Sequence, residues 1–205
     1  MISGPKYKIA RRLRAPIFEK TQTQKYALRE ARKIKAKSKR RPAQKTEYGL
    51  QMLEKQKARL SYGISEKQFS KYVSESIAKK AVKSSQALFE RLETRVDNIV
   101  YRLGLAPTRR FARQMVSHGH ITCNGRKTNI PSMQIYKADV ISIREGSLKT
   151  KLFNELTEKH KTYTTPKWLK FDLEKKQGTV VASPVLEEQK DLLFDLDTVL
   201  EFYSR

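Results

Sequence analysis

Positive charge is piled at one end of this chain. Residues 1–45 hold 16 basic and 2 acidic side chains, +14 of a formal net charge of +23, whereas residues 151–205 hold 9 basic and 10 acidic. Like charges at that density repel one another, so a compact fold over the first 45 residues needs either buried apolar partners or a polyanion. From Lys25 to Lys45 the only sizeable apolar groups are Tyr26, Leu28 and Ile34, too few to fold alone. We therefore expect residues 1–45 to be a basic arm, disordered alone and ordered on RNA, with Lys6, Lys8, Arg11, Arg12, Arg40, Arg41 and Lys45 against backbone phosphates. Tyr7 and Tyr26 offer stacking on bases or packing on protein.

The remaining 160 residues have a hydrophobic share in keeping with the chain's 38%, enough for a modest core. No apolar run approaches the roughly 20 residues of a membrane span, so no membrane partner is expected. The single cysteine, Cys123, cannot form an intramolecular disulfide and suits a reducing compartment.

Apolar spacing predicts a helix over 46–60, a second capped by Ser65, and a third from Ser84 or Ser85 to Gly104 with Leu88, Leu92, Val96, Ile99, Val100 and Leu103 on one stripe. Thr108 can cap a short helix closed by Gly119. On it Arg109, Arg110, Arg113, Gln114 and Ser117 share an arc of roughly 140°, opposite Phe111, Ala112, Met115 and Val116. No acidic residue lies between Asp97 and Asp139, so these arginines read as unpaired and suited to bidentate phosphate contact. Asn124-Gly125 between His120–Cys123 and Arg126–Asn129 predicts a hairpin. Val140–Arg144 and Gly178–Val181 read as strands, Lys151–Thr165 as a loop or short helix, and Trp168 as a packing anchor. The acidic, amphipathic stretch from Leu192 to Arg205 should pack or meet a basic neighbour.

Catalytic constellations are not evident. His118 and His120 sit two apart without a third ligand nearby, and Cys123 lacks a positioned base beyond His120. There is no Gly-rich phosphate loop. No metal, no cofactor and no enzymatic activity are expected.

The residues do resemble a known family. Gly4-Pro5-Lys6, Arg11-Arg12-Leu13, Glu47-Tyr48-Gly49-Leu50-Gln51, Glu54-Lys55-Gln56-Lys57, Tyr62-Gly63 and Gln68-Phe69 match it in the first half. Arg95, Asp97-Asn98, Val100-Tyr101-Arg102-Leu103-Gly104, Thr108-Arg109 and Ala112-Arg113-Gln114 continue the match. It runs on through Val116–Ile121, Asn124-Gly125, Asn129-Ile130-Pro131-Ser132 and Glu201–Arg205. The chain is similar to the bacterial small-subunit ribosomal protein four family, and residues 92–155 resemble the RNA-binding domain named after it.

That resemblance implies an α+β fold: a helical lobe over 46–91 completed by 185–205, with an inserted RNA-binding domain whose helices pack on a small antiparallel sheet. Residues 156–184 would extend the inserted domain. It implies a structural constituent of the small ribosomal subunit that binds its RNA early in assembly. The implied partners are small-subunit ribosomal RNA, ribosomal protein five at a boundary affecting decoding accuracy, and messenger RNA where it enters the ribosome; the implied location is the cytoplasm. Candidate RNA contacts beyond the arm are Tyr48, Lys55, Lys57, Arg59, Arg95, Arg109, Arg110, Arg113, Gln114, Ser117, His118, His120, Asn124 and Lys127. Many relatives carry cysteines in the first 45 residues; this chain has none there, and Ala138 stands where the family usually has Gly. A ribosome-associated factor, an RNA-modifying enzyme sharing the module and a double-stranded DNA binder are the alternatives. The enzyme is opposed by the 55 residues left downstream of 150, the other two by the Tyr48 block and the Glu201–Arg205 ending.

Overall fold

A computed structural model describes residues 4–36, 46–79, 83–148, 150, 153, 163–188 and 192–204. They form two compact units. One contains the described residues through Ser85 together with those from 192 onward; the other is drawn from Gln86–Glu188.

The first unit is helical: α1 (Lys6–Leu13), a single 3-10 turn (Glu19–Thr21), α2 (Gln24–Ala36), α3 (Glu47–Tyr62), α4 (Glu66–Ala78) and a last helix, Leu196–Tyr203. Thr46 caps α3 by accepting from the Gly49 amide, and Ser65 caps α4 by accepting from Gln68. Asp195 caps the last helix through the Asp197 and Thr198 amides. That helix returns to pack along α3 and against α4. Its rings find partners there, Phe202 against Tyr48 at 5.5 Å and Tyr203 against Phe69 at 6.2 Å between centroids.

The expected unpacked arm is corrected for its first part. Leu13, Ala15 and Ile17 are buried with Leu60, and Ile9, Phe18 and Leu53 pack around them. Ile9 and Leu13, one turn apart, give α1 an apolar side despite its charge, and Ile17 joins them after the left-handed Arg14 ends the helix. Tyr7 and Tyr26 stack on each other, centroids 5.5 Å apart. The remainder of the arm, 37–45, lies outside the described residues.

The second unit contains most of α5 (Ser84–Glu93), then α6 (Val96–Arg102), α7 (Arg109–Ser117), the short α8 (Glu145–Leu148) and five strands: β1 (Ile121–Cys123), β2 (Arg126–Thr128), β3 (Val140–Ile143), β4 (Leu169–Asp172) and β5 (Gln177–Val180). The sheet has the order β2-β1-β3-β5-β4 and every pairing is antiparallel. Asn124 (φ 49°) and Gly125 (φ 77°) turn the β1–β2 hairpin, the left-handed pair a two-residue loop requires. Val96, Ile99, Val100 and Leu103 from α6, Ala112, Met115 and Val116 from α7, and Ile121, Ile141 and Val180 from the sheet share one core. Trp168 is buried in it.

Two elements differ from expectation. The single helix from residue 84 to Gly104 is broken: Arg95 is extended (ψ 138°) and bridges to Gln134. The Val96 amide donates to the Met133 carbonyl and the Ile135 amide to the Thr94 carbonyl, partners a continuous helix would exclude. The apolar stripe runs straight through because both halves are buried, Leu88 and Leu92 on one side of the break and Val96, Ile99, Val100 and Leu103 on the other. The β4 strand, read only as a packing anchor at Trp168, pairs along its length with β5. Of Lys151–Thr165, only 153 and 163–165 are described; Phe153 is buried in the core and the Tyr163 hydroxyl donates to the Arg102 carbonyl at 3.2 Å.

Candidate nucleic-acid interface

Thr108 accepts from the Phe111 amide at 3.1 Å and starts α7. Ala112, Met115 and Val116 then turn into the core, while Arg110, Gln114 and Ser117 face solvent. Arg109 and Arg113, at the other edge of the polar arc, are half-buried and lean onto α6. Arg109 Nε donates to Asn98 Oδ1 at 2.7 Å, with its guanidinium 4.5 Å from the Tyr101 ring centroid. Arg113 places Nε 2.8 Å and Nη2 2.7 Å from Asp97 Oδ2. Reading the row as unpaired is therefore corrected for Arg113, whose acidic partner is Asp97, brought across from the preceding helix.

Gly119 closes α7 at φ 72°, and a Cβ there would collide with Lys127 Cε. The Lys127 stem thus crosses the helix-to-strand junction at Gly119, the residue after exposed His118. His118 and His120 lie ring over ring, 6.1 Å between centroids, and His120 Nδ1 is 3.0 Å from Ser147 Oγ. Arg144 is exposed too, and its amide donates to the His120 carbonyl. It ends a predicted strand and was not expected at this junction; only the β1–β3 pairing brings it there. Arg110, Gln114, Ser117, His118 and Lys127 therefore form one polar surface. Among the described residues, Arg110, Lys127 and Arg144 have no acidic partner.

Two candidates have structural duties instead. Arg95 is buried, donating from Nε and Nη2 to the Asp97 carboxylate at 3.0 and 2.8 Å, so it cannot reach RNA as expected. Asn124 donates to Asp139 Oδ1 and accepts from the Val140 amide, both at 2.8 Å, and so ties the hairpin turn to β3.

In the helical unit, Lys8, Arg11 and Arg12 are exposed on α1, with Arg11 3.8 Å from Glu30; Lys6 is half-buried with its ammonium 5.6 Å from the Phe18 ring centroid. Arg40, Arg41 and Lys45 lie outside the described residues. Tyr48 is exposed at one edge, against Phe202. Lys55 is corrected: it is buried, 2.8 Å from Glu66 and 4.5 Å from the Phe202 ring centroid. Lys57 pairs with Glu54 at 2.6 Å and Arg59 with Glu66 at 3.2 Å. Burial pushes the Glu66 carboxyl up, but hydrogen bonds from Lys55 and Tyr203 and the charges of Lys55 and Arg59 outweigh it, holding the group below its ordinary value. The Tyr203 phenol is raised, by burial first and then by its bond to Glu66. Among the described residues no cluster of His, Cys, Asp and Glu could hold a metal ion, and no helix is long and apolar enough to cross a membrane.

Two family models match: one described as an S4 domain over residues 94–141, the other as a ribosomal protein S4/S9 N-terminal domain over residues 2–93. The chain is 39% identical over 206 aligned positions to the small ribosomal subunit protein uS4 of Thermotoga petrophila, covering 99% of this chain and 98% of that one. It is 48% identical to that of Halothermothrix orenii over 81% of this chain and 79% of the other. The Amoebophilus asiaticus protein of the same name is 41% identical, with 98% of each chain covered.

Proposed function

This chain belongs to the uS4 family of small ribosomal subunit proteins, and on that footing we propose that it is a structural component of the small subunit, in the cytoplasm, which binds ribosomal RNA directly. The observation that carries the binding surface is the exposed sector of α7, Arg110, Gln114 and Ser117, continued by His118 and Lys127. Such a surface grips phosphate and sugar, because A-form major grooves are too deep and narrow for side chains to read. Exposed Lys8, Arg11 and Arg12 on α1 add a second basic surface, in the other unit.

In this reading the protein binds early in assembly and has no catalytic role. The family resemblance extends it to ribosomal protein five as a neighbour, to decoding accuracy, and to messenger RNA where it enters the subunit. Replacing Arg110 or Lys127 by Gln should weaken binding to small-subunit ribosomal RNA across sequence variants. The salt slope should fall in magnitude by roughly 0.7–0.9 for each phosphate no longer neutralised. An unchanged slope with altered sequence preference would sink the assignment.

A further inference from the structure

Behind the exposed face of α7 lies a layer of charge that sequence spacing does not reveal. Asp97, whose side chain is 4% exposed, takes Arg95 on both oxygens and Arg113 on Oδ2. Glu93, fully buried, takes Arg102 through a two-point bond, Nε to Oε2 at 2.8 Å and Nη2 to Oε1 at 2.7 Å. Asn98 links Glu93 to a further arginine: its amide donates to Glu93 Oε2 at 2.8 Å and its carbonyl accepts from Arg109 at 2.7 Å. Two carboxylates thus anchor three guanidiniums directly and a fourth, Arg109, through Asn98, which leaves these two acids and four arginines with a net charge of +2. Removed from water, such bonds are stronger than at a surface.

We propose that Asp97 and Asn98, the latter held in turn by Glu93, are positioning residues for RNA binding. Asp97 fixes Arg113, and Asn98 fixes Arg109, in one orientation before RNA arrives, so that little side-chain freedom is lost when phosphate is met. Arg113 keeps a quarter of its side chain exposed while held, so anchoring does not withdraw it from the surface. Glu93 does the same for Arg102, 15% exposed. The proposal rests on the RNA-binding reading above but concerns different residues, none of which the exposed sector of α7 contains.

The two ideas separate experimentally. Affinity of the full chain for small-subunit ribosomal RNA is measured at fixed salt for D97N, R113Q, the double variant and R110Q, with melting temperatures of the free proteins. D97N raises the net charge by one, so general electrostatics predicts tighter binding. Positioning predicts the opposite, a loss of roughly tenfold, the scale of one charge-assisted hydrogen bond, and no further loss when D97N is added to R113Q. A D97N protein that is folded and binds as well or better, or losses that add in the double variant, overturns the proposal.

Leaving Arg95 buried without its carboxylate could prevent folding. In that event N98A, which changes no charge, takes its place with R109Q as the second variant, and the same non-additive loss is expected; an additive or absent loss overturns the proposal. Weakening by R110Q without D97N or N98A effects defeats positioning alone. Weakening by D97N or N98A with R110Q silent leaves positioning standing and defeats the exposed-sector interface.

Discussion

Ala138 carries a backbone conformation that suits glycine. Its φ is 73°, within the turn where the Tyr136 amide donates to the Asp139 carboxylate and the Ala138 amide donates to the Val180 carbonyl. A side chain held in that region costs of order 1 kcal/mol. Ala138→Gly should therefore raise the melting temperature by roughly 2–4 °C without changing RNA affinity; a lower melting temperature would show the turn is not strained. Glu66 makes a second residue-scale prediction. Its folded-state pKa lies below the ordinary value, so its contribution to stability is present above the unfolded carboxylate range and is lost as pH falls through the folded value. Melting curves of the parent and E66Q should differ near neutral pH and converge as pH falls below the ordinary carboxylate range. A difference that stays constant across that range would contradict the linkage.

Among the elements, α1 departs most from what its composition suggests. Leu13 and Ile17 are buried against Leu60, each worth about 1.5–3 kcal/mol relative to exposure. Deleting residues 1–18 should lower the melting temperature of the helical unit and expose Leu53 and Leu60; an unchanged transition would restore the unpacked arm. α7 and the β1–β2 hairpin were legible in the sequence because their signals are local: a Thr cap, a two-faced wheel and an Asn-Gly turn. The break at Arg95 and the packing of α1 were not, since their partners, Gln134 and Leu60, are 39 and 47 residues away from Arg95 and Leu13. Tertiary packing likewise hid the true state of the basic row. Asp97 was visible as the last acid before the row, but only the α6–α7 packing sets it against Arg113.

At the scale of the molecule, the charge gradient now has a structural counterpart. The near-neutral stretch at the far end of the chain sends its helix, Leu196–Tyr203, back to α3 and α4, in the same unit as the strongly basic beginning. The other unit carries its basic surface on a sheet-backed helix. Two separately built basic surfaces on one chain suit a protein that stays on a large folded RNA. Sedimentation of cell extracts through a high-salt wash tests this most directly: the account predicts that the protein travels with free small subunits and remains on them, whereas release into the light fractions would contradict it.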